Sequence, residues 1–140
     1  MFQEGLFAFL KNQSSITAIL GTSRGDNSTG IFPVLAPPET TLPYITFMRI
    51  SGYQPSTLQG GNALQIARFR FSLYGASQKQ ATQLAKALKD LFAGWTGTFS
   101  DGTVVQNVLY EFEMDDTESV PHGTIFASHV DYSFSYVEPS

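Results

Sequence analysis

Cysteine is absent from this sequence of 140 residues. The chain therefore forms no disulfide and offers neither a thiol nucleophile nor a thiolate metal ligand. It also lacks a run of about 18 apolar residues, the length that would cross a bilayer. The first residues lack the basic region of a signal peptide. We expect a protein that is made in the cytoplasm, makes no membrane contact, and is stabilised by packing or by packing plus oligomerisation.

Residue patterns typical of catalytic or metal sites are also missing. His122 lies in a turn sequence and His129 begins the last predicted strand, and neither is spaced to act with a carboxylate or with the other histidine. The acidic run at 115–118 lacks the glycine and terminal glutamate of a calcium loop, so a solvated or interface charge run is the simpler interpretation. The glycine pair at 60–61 has no phosphate-binding lysine or following helix. We expect no catalytic residue, metal or cofactor.

Lysine and arginine do not occur after residue 100. Residues 1–100 hold all 8 basic residues against four acidic ones, a net charge of +4, whereas residues 101–140 hold eight acidic residues, a net charge of −8. Such a split gives neighbouring subunits opposite charges to pair, although acidic and basic strands can equally pair within one subunit. Nucleic-acid recognition is not expected, because the basic residues form no dense cluster and the whole chain carries −4.

The residues that are present favour one folded domain over residues 1–140. The chain is 42% apolar and 14% aromatic, which is enough to build a core. An apolar stretch from Phe2 to Leu20 has helical spacing, and residues 21–41 form a loop broken by a short extended piece near Ile31. A helix begins after Ser77, with Gln80 completing a capping box, and ends near Gly94. The pair Asp101-Gly102 predicts a hairpin.

Alternating apolar and polar residues predict the strands. Arg68 and Arg70 alternate with apolar neighbours, so both arginines point away from the core. The predicted core positions of three strands are Ala67, Phe69, Phe71 and Leu73, then Val108, Tyr110, Phe112 and Met114, then Val130, Tyr132, Phe134 and Tyr136. A fourth strand covers residues 44–50. The predicted class is α+β, a mainly antiparallel sheet of four or more strands with two helices packed on one face.

The order and spacing of several segments match a known family. Leu42-Pro43-Tyr44-Ile45-Thr46-Phe47 enters a strand, Ser51-Gly52 and Thr57-Leu58-Gln59-Gly60-Gly61 form a loop, and Arg68 to Tyr74 returns before a helix. In this order the segments resemble tail terminators, the small tail-completion proteins of long-tailed bacteriophages. Gly30-Ile31-Phe32-Pro33 upstream, with Asp115-Asp116 and the strand from Val130 to Val137 downstream, extend the resemblance over most of the chain.

The resemblance implies a structural virion protein without catalytic residues. Such a protein caps the head-proximal end of the tail tube, stops tube elongation and provides the surface for head-tail joining. The partners it implies are the protein itself, as a hexameric ring, the tail tube protein and a head-side connector protein. It implies a location at the head-proximal end of the tail in the virion, and in the host cytoplasm during assembly.

Two sets of residues are predicted to make the contacts of such a ring. Contacts along the tube axis are assigned to a loop that contains Tyr53, Gln54, Leu58, Gln59, Gly60, Gly61 and Asn62. Lateral pairing is assigned to Arg49, Arg68 and Arg70 against Glu111, Glu113, Asp115 and Asp116. Two other functions stay open, a head-completion or stopper protein of the same phage neck, and a non-viral small α+β domain that binds or hydrolyses a small molecule.

Overall fold

The computed structural model describes residues 2–21, 28–37, 40–54, 64–121 and 123–138. Within these ranges no helix is both long and apolar enough to cross a membrane. The same ranges contain three helices and six strands. The helices are α1 (Phe2–Lys11), α2 (Ser14–Leu20) and α3 (Gln78–Phe92), and the strands are β1 (Ile31–Pro33), β2 (Tyr44–Tyr53), β3 (Gln65–Gly75), β4 (Gly97–Thr98), β5 (Val104–Val120) and β6 (Gly123–Val137).

The strands form one sheet in the order β1-β2-β3-β6-β5-β4. Strand β1 runs parallel to β2, and all other neighbours are antiparallel. Phe134 of β6 contacts both Phe2 of α1 and Phe92 of α3, with ring centroids 5.2 and 5.3 Å away. Both helices therefore cover the same side of the sheet, which we call the helix face, and we call the opposite side the outer face. The predicted α+β class is confirmed, although the N-terminal segment forms two helices that are separated at Asn12 and Gln13.

The core between the helices and the sheet is rich in aromatic rings. Phe2 is 1% exposed, and its ring stacks on Tyr136 at 4.2 Å and lies 5.0 Å from Phe69. Burying a phenylalanine side chain contributes about 1.5–3 kcal/mol, and suitably placed ring pairs add to it. Trp95, just beyond α3, packs against Phe9 at 4.6 Å. The aromatic side chains of the sequence thus join α1 to the far end of the chain.

Helix α3 begins and ends where the sequence indicates. The Ser77 hydroxyl accepts a hydrogen bond from the Gln80 N–H at 3.2 Å. The Gln80 side chain accepts from the Ala76 N–H at 2.9 Å, one residue earlier than in the usual capping box. Gly94 follows the helix with φ of +65°, a conformation that glycine adopts without strain. The buried residues of α3 recur at helical spacing and form one apolar stripe, namely Ala81, Leu84, Ala85, Leu88 and Phe92.

Gly5 lets α1 approach the turn before β5 very closely. A Cβ atom at this position would lie 2.6 Å from Asp101 Oδ1 and 2.8 Å from Phe99 Cβ. Both distances are shorter than van der Waals contact. Glycine is therefore required here by packing, although it weakens the helix itself.

The predicted alternation of β5 is wrong beyond Tyr110. The sequence pattern put Val108, Tyr110, Phe112 and Met114 on one face of a regular strand. A β-bulge between Tyr110 and Phe112 leaves Glu111 without a partner in the register. Because a bulge inserts one extra residue, the side chains after it change face.

The change of face reverses which side chains of β5 meet the helices. Phe112 lies opposite Asp131 on the outer face. Glu113 lies opposite Val130 on the helix face. Its carboxylate forms an ion pair with Lys89 of α3, with Nζ and Oε1 3.0 Å apart. Just after the bulge, β5 therefore presents the acidic Glu113 and Asp115 to the helix face and the apolar Phe112 and Met114 to the outer face.

Candidate interaction surface

The outer face of the sheet is organised around one buried acid, Asp131 of β6. Its side chain is 0% exposed although it lies on the side away from the helices. Arg70 lies directly opposite it on β3, and Arg68 lies opposite Ser133, two residues along β6. Since side chains two residues apart share a face, both arginines reach the same carboxylate.

The two guanidinium groups bind this carboxylate through four hydrogen bonds. Arg68 donates from Nε at 3.1 Å and from Nη2 at 2.8 Å, both to Oδ2 of Asp131. Arg70 donates from Nε to Oδ1 at 2.8 Å and from Nη2 to Oδ2 at 3.0 Å. We call these three residues the Arg-Asp-Arg cluster. Such charge-assisted bonds are stronger than neutral ones.

The electrostatics of the Arg-Asp-Arg cluster follow from its composition. Burial raises the pKa of Asp131, but hydrogen bonds from Arg70 and Arg68 outweigh it, and the pKa lies below its ordinary value. The hydrogen bond to Asp131 likewise raises the pKa of Arg70. Two cations share one anion, and each arginine side chain stays 35% exposed. The cluster therefore presents a net positive charge to solvent.

Exposed apolar side chains surround the cluster. They are Met48 at 43% exposure, Leu109 at 51%, Phe112 at 41% and Met114 at 42%. The Arg70 guanidinium lies 5.9 Å from the centroid of the Phe112 ring, within the range of a cation–π contact. Apolar groups grouped around a charged centre on an uncovered sheet face are typical of a protein interface.

His129 lies on the same face, in the middle of β6 and not at the start of the strand as the sequence analysis expected. Its Nδ1 is 2.7 Å from the Ser72 hydroxyl, and its Nε2 is 4.0 Å from Asp116. Burial and then the charge of Arg70 lower the pKa of His129. A distance of 4.0 Å exceeds hydrogen-bond length, so Asp116 does not orient the ring as the acid of a catalytic triad does. Across the described ranges no three His, Asp or Glu side chains are grouped as metal ligands.

A groove lies on the helix face between the end of α3 and β5. Its cavity volume is about 470 Å³, and Lys89, Phe92, Tyr110 and Tyr132 contribute to its walls. The buried Tyr132 hydroxyl has no hydrogen-bond partner among the described residues, and burial raises its pKa. Lys89 also lies close to Tyr110, with its Nζ 5.1 Å from the centroid of the Tyr110 ring.

The acids that were predicted to pair laterally occupy different environments. Glu113 binds Lys89, and Asp115 accepts a 3.0 Å hydrogen bond from Gln78, so both are engaged with α3. Asp116 accepts a hydrogen bond from the N–H of the next residue at 2.8 Å. Glu111, the bulge residue, is exposed.

The three predicted arginines are likewise separated. Arg49 is exposed on β2, whereas Arg68 and Arg70 pair inside the chain with Asp131, an acid that the sequence analysis did not select. The signal that could have found it is that Asp131 is the only charged residue of its strand. Contacts of the three arginines with a neighbouring subunit stay a prediction.

The predicted axial loop is only partly described. Tyr53 closes β2 with an exposure of 64%, and Gln54 after it is also exposed. The remaining predicted loop contacts lie outside the described residues, namely Leu58, Gln59, Gly60, Gly61 and Asn62. Their role stays a prediction.

Comparisons with known proteins agree with this fold. No curated protein matches the sequence. A solved chain from a structure titled "Virion of native gene transfer agent (GTA) particle" is similar to this one, with a TM-score of 0.61 and 13% sequence identity. The similarity covers 98% of this chain and 94% of that chain, and at this identity it shows a shared fold. The family model of tail completion protein gp17 matches residues 4–132. Because that match spans nearly all of the sequence, the chain belongs to the tail completion protein gp17 family.

Proposed function

We propose that the protein forms a hexameric ring on the head-proximal end of a long phage tail tube, where it stops tube elongation and provides the surface for head-tail joining. The observation that carries this proposal is the tail completion family match over residues 4–132. The tail tube protein and a head-side connector protein are its proposed partners. The role is structural and requires no catalytic turnover.

The physical requirement for a cap is two unlike surfaces on one rigid body. One surface must bind the last ring of tube subunits, and the other must offer no site to a further tube subunit. The two ends of the sheet are unlike in this way, because β2 ends with the exposed Tyr53 at one end and the β5–β6 hairpin extends beyond the other. The exposed residues Tyr53 and Gln54 lead into the loop that we assign to contacts along the tube axis. Assignment of the loop residues Leu58 to Asn62 follows from the sequence.

Deletion of the gene tests the capping role. Electron microscopy of lysates should show tail tubes longer than normal and separate filled heads, because elongation no longer stops and no joining surface forms. Expression of the intact gene from a plasmid should restore tails of normal length. Normal-length tails beside heads that lose their DNA would instead identify a stopper protein on the head side. Infectious particles of normal shape would exclude both roles.

A double substitution tests the loop assignment. Tyr53→Ala with Gln54→Ala removes two exposed side chains and leaves the core intact, so the melting temperature should change little. Head-tail joining in a plasmid complementation assay should fall, because contacts along the axis are lost. The matched control is Lys79→Ala with Thr82→Ala on the exposed side of α3. Full activity of the loop variant would remove Tyr53 and Gln54 from the proposed contact.

A further inference from the structure

Strand β5 is much longer than the strand that covers its outer side. Strand β4 pairs only with Val104 and Val105. Among the described residues, the segment 106–120 therefore borders β6 alone, and one side of its backbone has no strand partner. We call this segment the β5 free edge. A sheet edge of this length is a template for pairing with another chain.

Strand β2 has a free edge at the opposite margin of the sheet. Strand β1 pairs with Ile45, Thr46 and Phe47, and one further hydrogen bond runs from Val34 N to Phe47 O. Beyond that point, residues 48–53 border β3 alone within the described ranges. We call this segment the β2 free edge.

The two free edges lie at the same level of the sheet. The register connects residues of β2 and β5 through β3 and β6, since paired residues lie side by side. The rows that this register defines are Met48 with Arg70, Asp131 and Phe112, then Ser51 with Arg68, Ser133 and Leu109, then Tyr53 with Ile66, Ser135 and Asn107. Residues 107–112 of β5 therefore match residues 48–53 of β2 in height.

The strand directions allow the two edges to meet. Each neighbouring pair from β2 through β3 and β6 to β5 is antiparallel, so β2 and β5 run in opposite directions. In a ring whose axis runs along the strands, copies are related by rotation and all keep the same direction. The β5 free edge of one copy would then meet the β2 free edge of the next as an antiparallel pair, a head-to-tail contact that closes.

Each free edge carries an exposed charge of opposite sign at this level. Arg49 lies in the row of Tyr110, next to the bulge at Glu111. Both side chains are exposed, and within the described part of the chain neither forms an ion pair or a side-chain hydrogen bond. Oppositely charged groups at facing edges favour one partner and one register. Both edges and both charges belong to this chain, so the partner that fits them is a second copy of it.

We propose that neighbouring subunits pair the β2 free edge of one copy with the β5 free edge of the next, so that the sheet continues around the ring. The inference rests on the ring of the proposed function and specifies its lateral contact. In many proteins, bulges and charges at a sheet edge prevent that edge from pairing with another chain. The bulges near Ile50 and at Glu111 could act in this way. An experiment must therefore test whether the two edges pair between subunits.

Cysteine crosslinking provides that experiment, because the natural chain has no cysteine. Ser51→Cys is combined with Asn107→Cys, Leu109→Cys or Phe112→Cys, three outer-face positions that cover a shift in register. Within one chain Ser51 lies three strand spacings from these positions, roughly 14 Å. That distance exceeds the reach of a disulfide, which needs Cα atoms within about 7 Å. Any crosslink therefore joins two copies. The control pair is Ser51→Cys with Lys79→Cys on the exposed side of α3.

Mild oxidation of purified particles and of the concentrated free protein, followed by non-reducing electrophoresis, gives the readout. We expect a ladder of multimers from at least one of the three pairs and none from the control pair. Absence of a ladder from all three pairs in both preparations would overturn edge pairing. If particles carry the protein and give no ladder, edge pairing in the ring is overturned while the proposed function stays intact. If the free protein gives a ladder but the protein itself is missing from particles, the pairing is supported and the proposed function is rejected.

Charge reversal tests the specific contact. Arg49→Glu alone and Glu111→Arg alone should each lower the crosslink yield about fivefold, the effect of one exposed ion pair. Their combination should restore it, because the two charges again oppose each other across the contact. An equal yield from all four proteins would exclude this ion pair, and with it the charge argument for the register.

Discussion

At the scale of single residues, Asp131 controls the charge of the outer face. It is the only acid within the Arg-Asp-Arg cluster, and its carboxylate occupies four guanidinium N–H groups. Removing its charge would leave two guanidinium groups side by side with no carboxylate between them. Asp131 is therefore the residue whose neutral replacement is most informative.

The Asp131→Asn substitution is expected to lower the free energy of unfolding by about 1–3 kcal/mol. The loss is smaller than the roughly 3–5 kcal/mol typical of breaking a fully buried ion pair, because the arginine side chains are 35% exposed and screened by water. Urea denaturation followed by tryptophan fluorescence measures the change. Asp116→Asn, an exposed acid at 60%, is the matched control and should change stability by less than about 0.5 kcal/mol. Equal stability of the two variants would contradict the structural role of Asp131.

The pH dependence of stability should report the same carboxylate. Since the folded pKa of Asp131 lies below its ordinary value of 3.8, its stabilising contribution is present above that value and is lost as the pH falls through the folded pKa. The difference in unfolding free energy between wild type and Asp131→Asn should therefore be constant from pH 7 to about pH 5 and shrink below about pH 4. Urea titrations at a series of pH values test this. A difference that stays constant to pH 2 would show that Asp131 is not the titrating group.

Residue-level reasoning from sequence found part of this cluster. Alternation correctly turned Arg68 and Arg70 away from the core. Their partner Asp131 was missed because the prediction compared only the net charges of residues 1–100 and 101–140. Which acid binds the two arginines is determined by the register between β3 and β6. Register depends on which strands are neighbours, and Arg70 and Asp131 are 61 residues apart along the chain.

At the scale of elements, the contact of α1 with the turn before β5 depends on a missing side chain. A Gly→Ala change in the middle of a helix usually stabilises by about 0.5–1 kcal/mol. Gly5→Ala should instead destabilise by about 1–2 kcal/mol, because the new Cβ meets Phe99 and Asp101 at less than 3 Å. Thermal and urea unfolding provide the measurement. Ala8→Gly on the same helix serves as control and should lose about 1 kcal/mol through helix propensity. A stabilised Gly5→Ala protein would show that α1 shifts freely.

The β5–β6 hairpin extends beyond the rest of the sheet. The last pair of β3 with β6 is Gly75 with Phe126, whereas β5 and β6 continue to the pair of Val120 with Gly123. Within the described residues this end is a two-stranded ribbon, which is marginal in isolation. Amide hydrogen exchange of the free protein should be faster at 118–120 and 124–125 than at 127–134. Equal protection along both stretches would mean that the ribbon is stabilised by a contact that the isolated subunit does not require.

Element-level prediction from sequence succeeded where local rules determine the structure. The cap at Ser77, the end of α3 near Gly94 and the hairpin at Asp101-Gly102 follow from side-chain and backbone preferences of a few adjacent residues. The prediction for β5 failed at Glu111, because a bulge leaves no compositional signal in a strand whose alternation continues through it. Phe112 and Met114 were placed in the core for that reason.

At the scale of the whole molecule, we expect no dependence on bound metal. The sequence has no cysteine and no patterned carboxylate site. Incubation with EDTA followed by dialysis should therefore leave the melting temperature unchanged within about 1 °C, since loss of a structural ion removes its whole binding free energy from folding. A fall of several degrees that added zinc or calcium reverses would contradict this. A buffer of equal ionic strength without chelator is the control.

The fold class and the family could be predicted from the sequence because many residues along the chain contribute to each pattern. The α+β class rests on helix and strand patterns over most of the chain, and the family resemblance rests on their order. The free edges of β2 and β5 could not be predicted, because they depend on how far β1 and β4 extend along their neighbours. Single residues set those lengths, and composition does not reveal them.

The aromatic contacts of Phe2 have a consequence for how the chain is made. Phe2 leaves the ribosome roughly 130 residues before Phe134 and Tyr136, two of the rings it packs against. Strand β6 also lies between β3 and β5, so neither of those strands gains this neighbour until β6 has been synthesised. At roughly 5–20 residues per second, α1 waits on the order of ten seconds for its core. During that interval its apolar side is exposed, and chaperone binding to the nascent chain should therefore be strongest before β6 emerges.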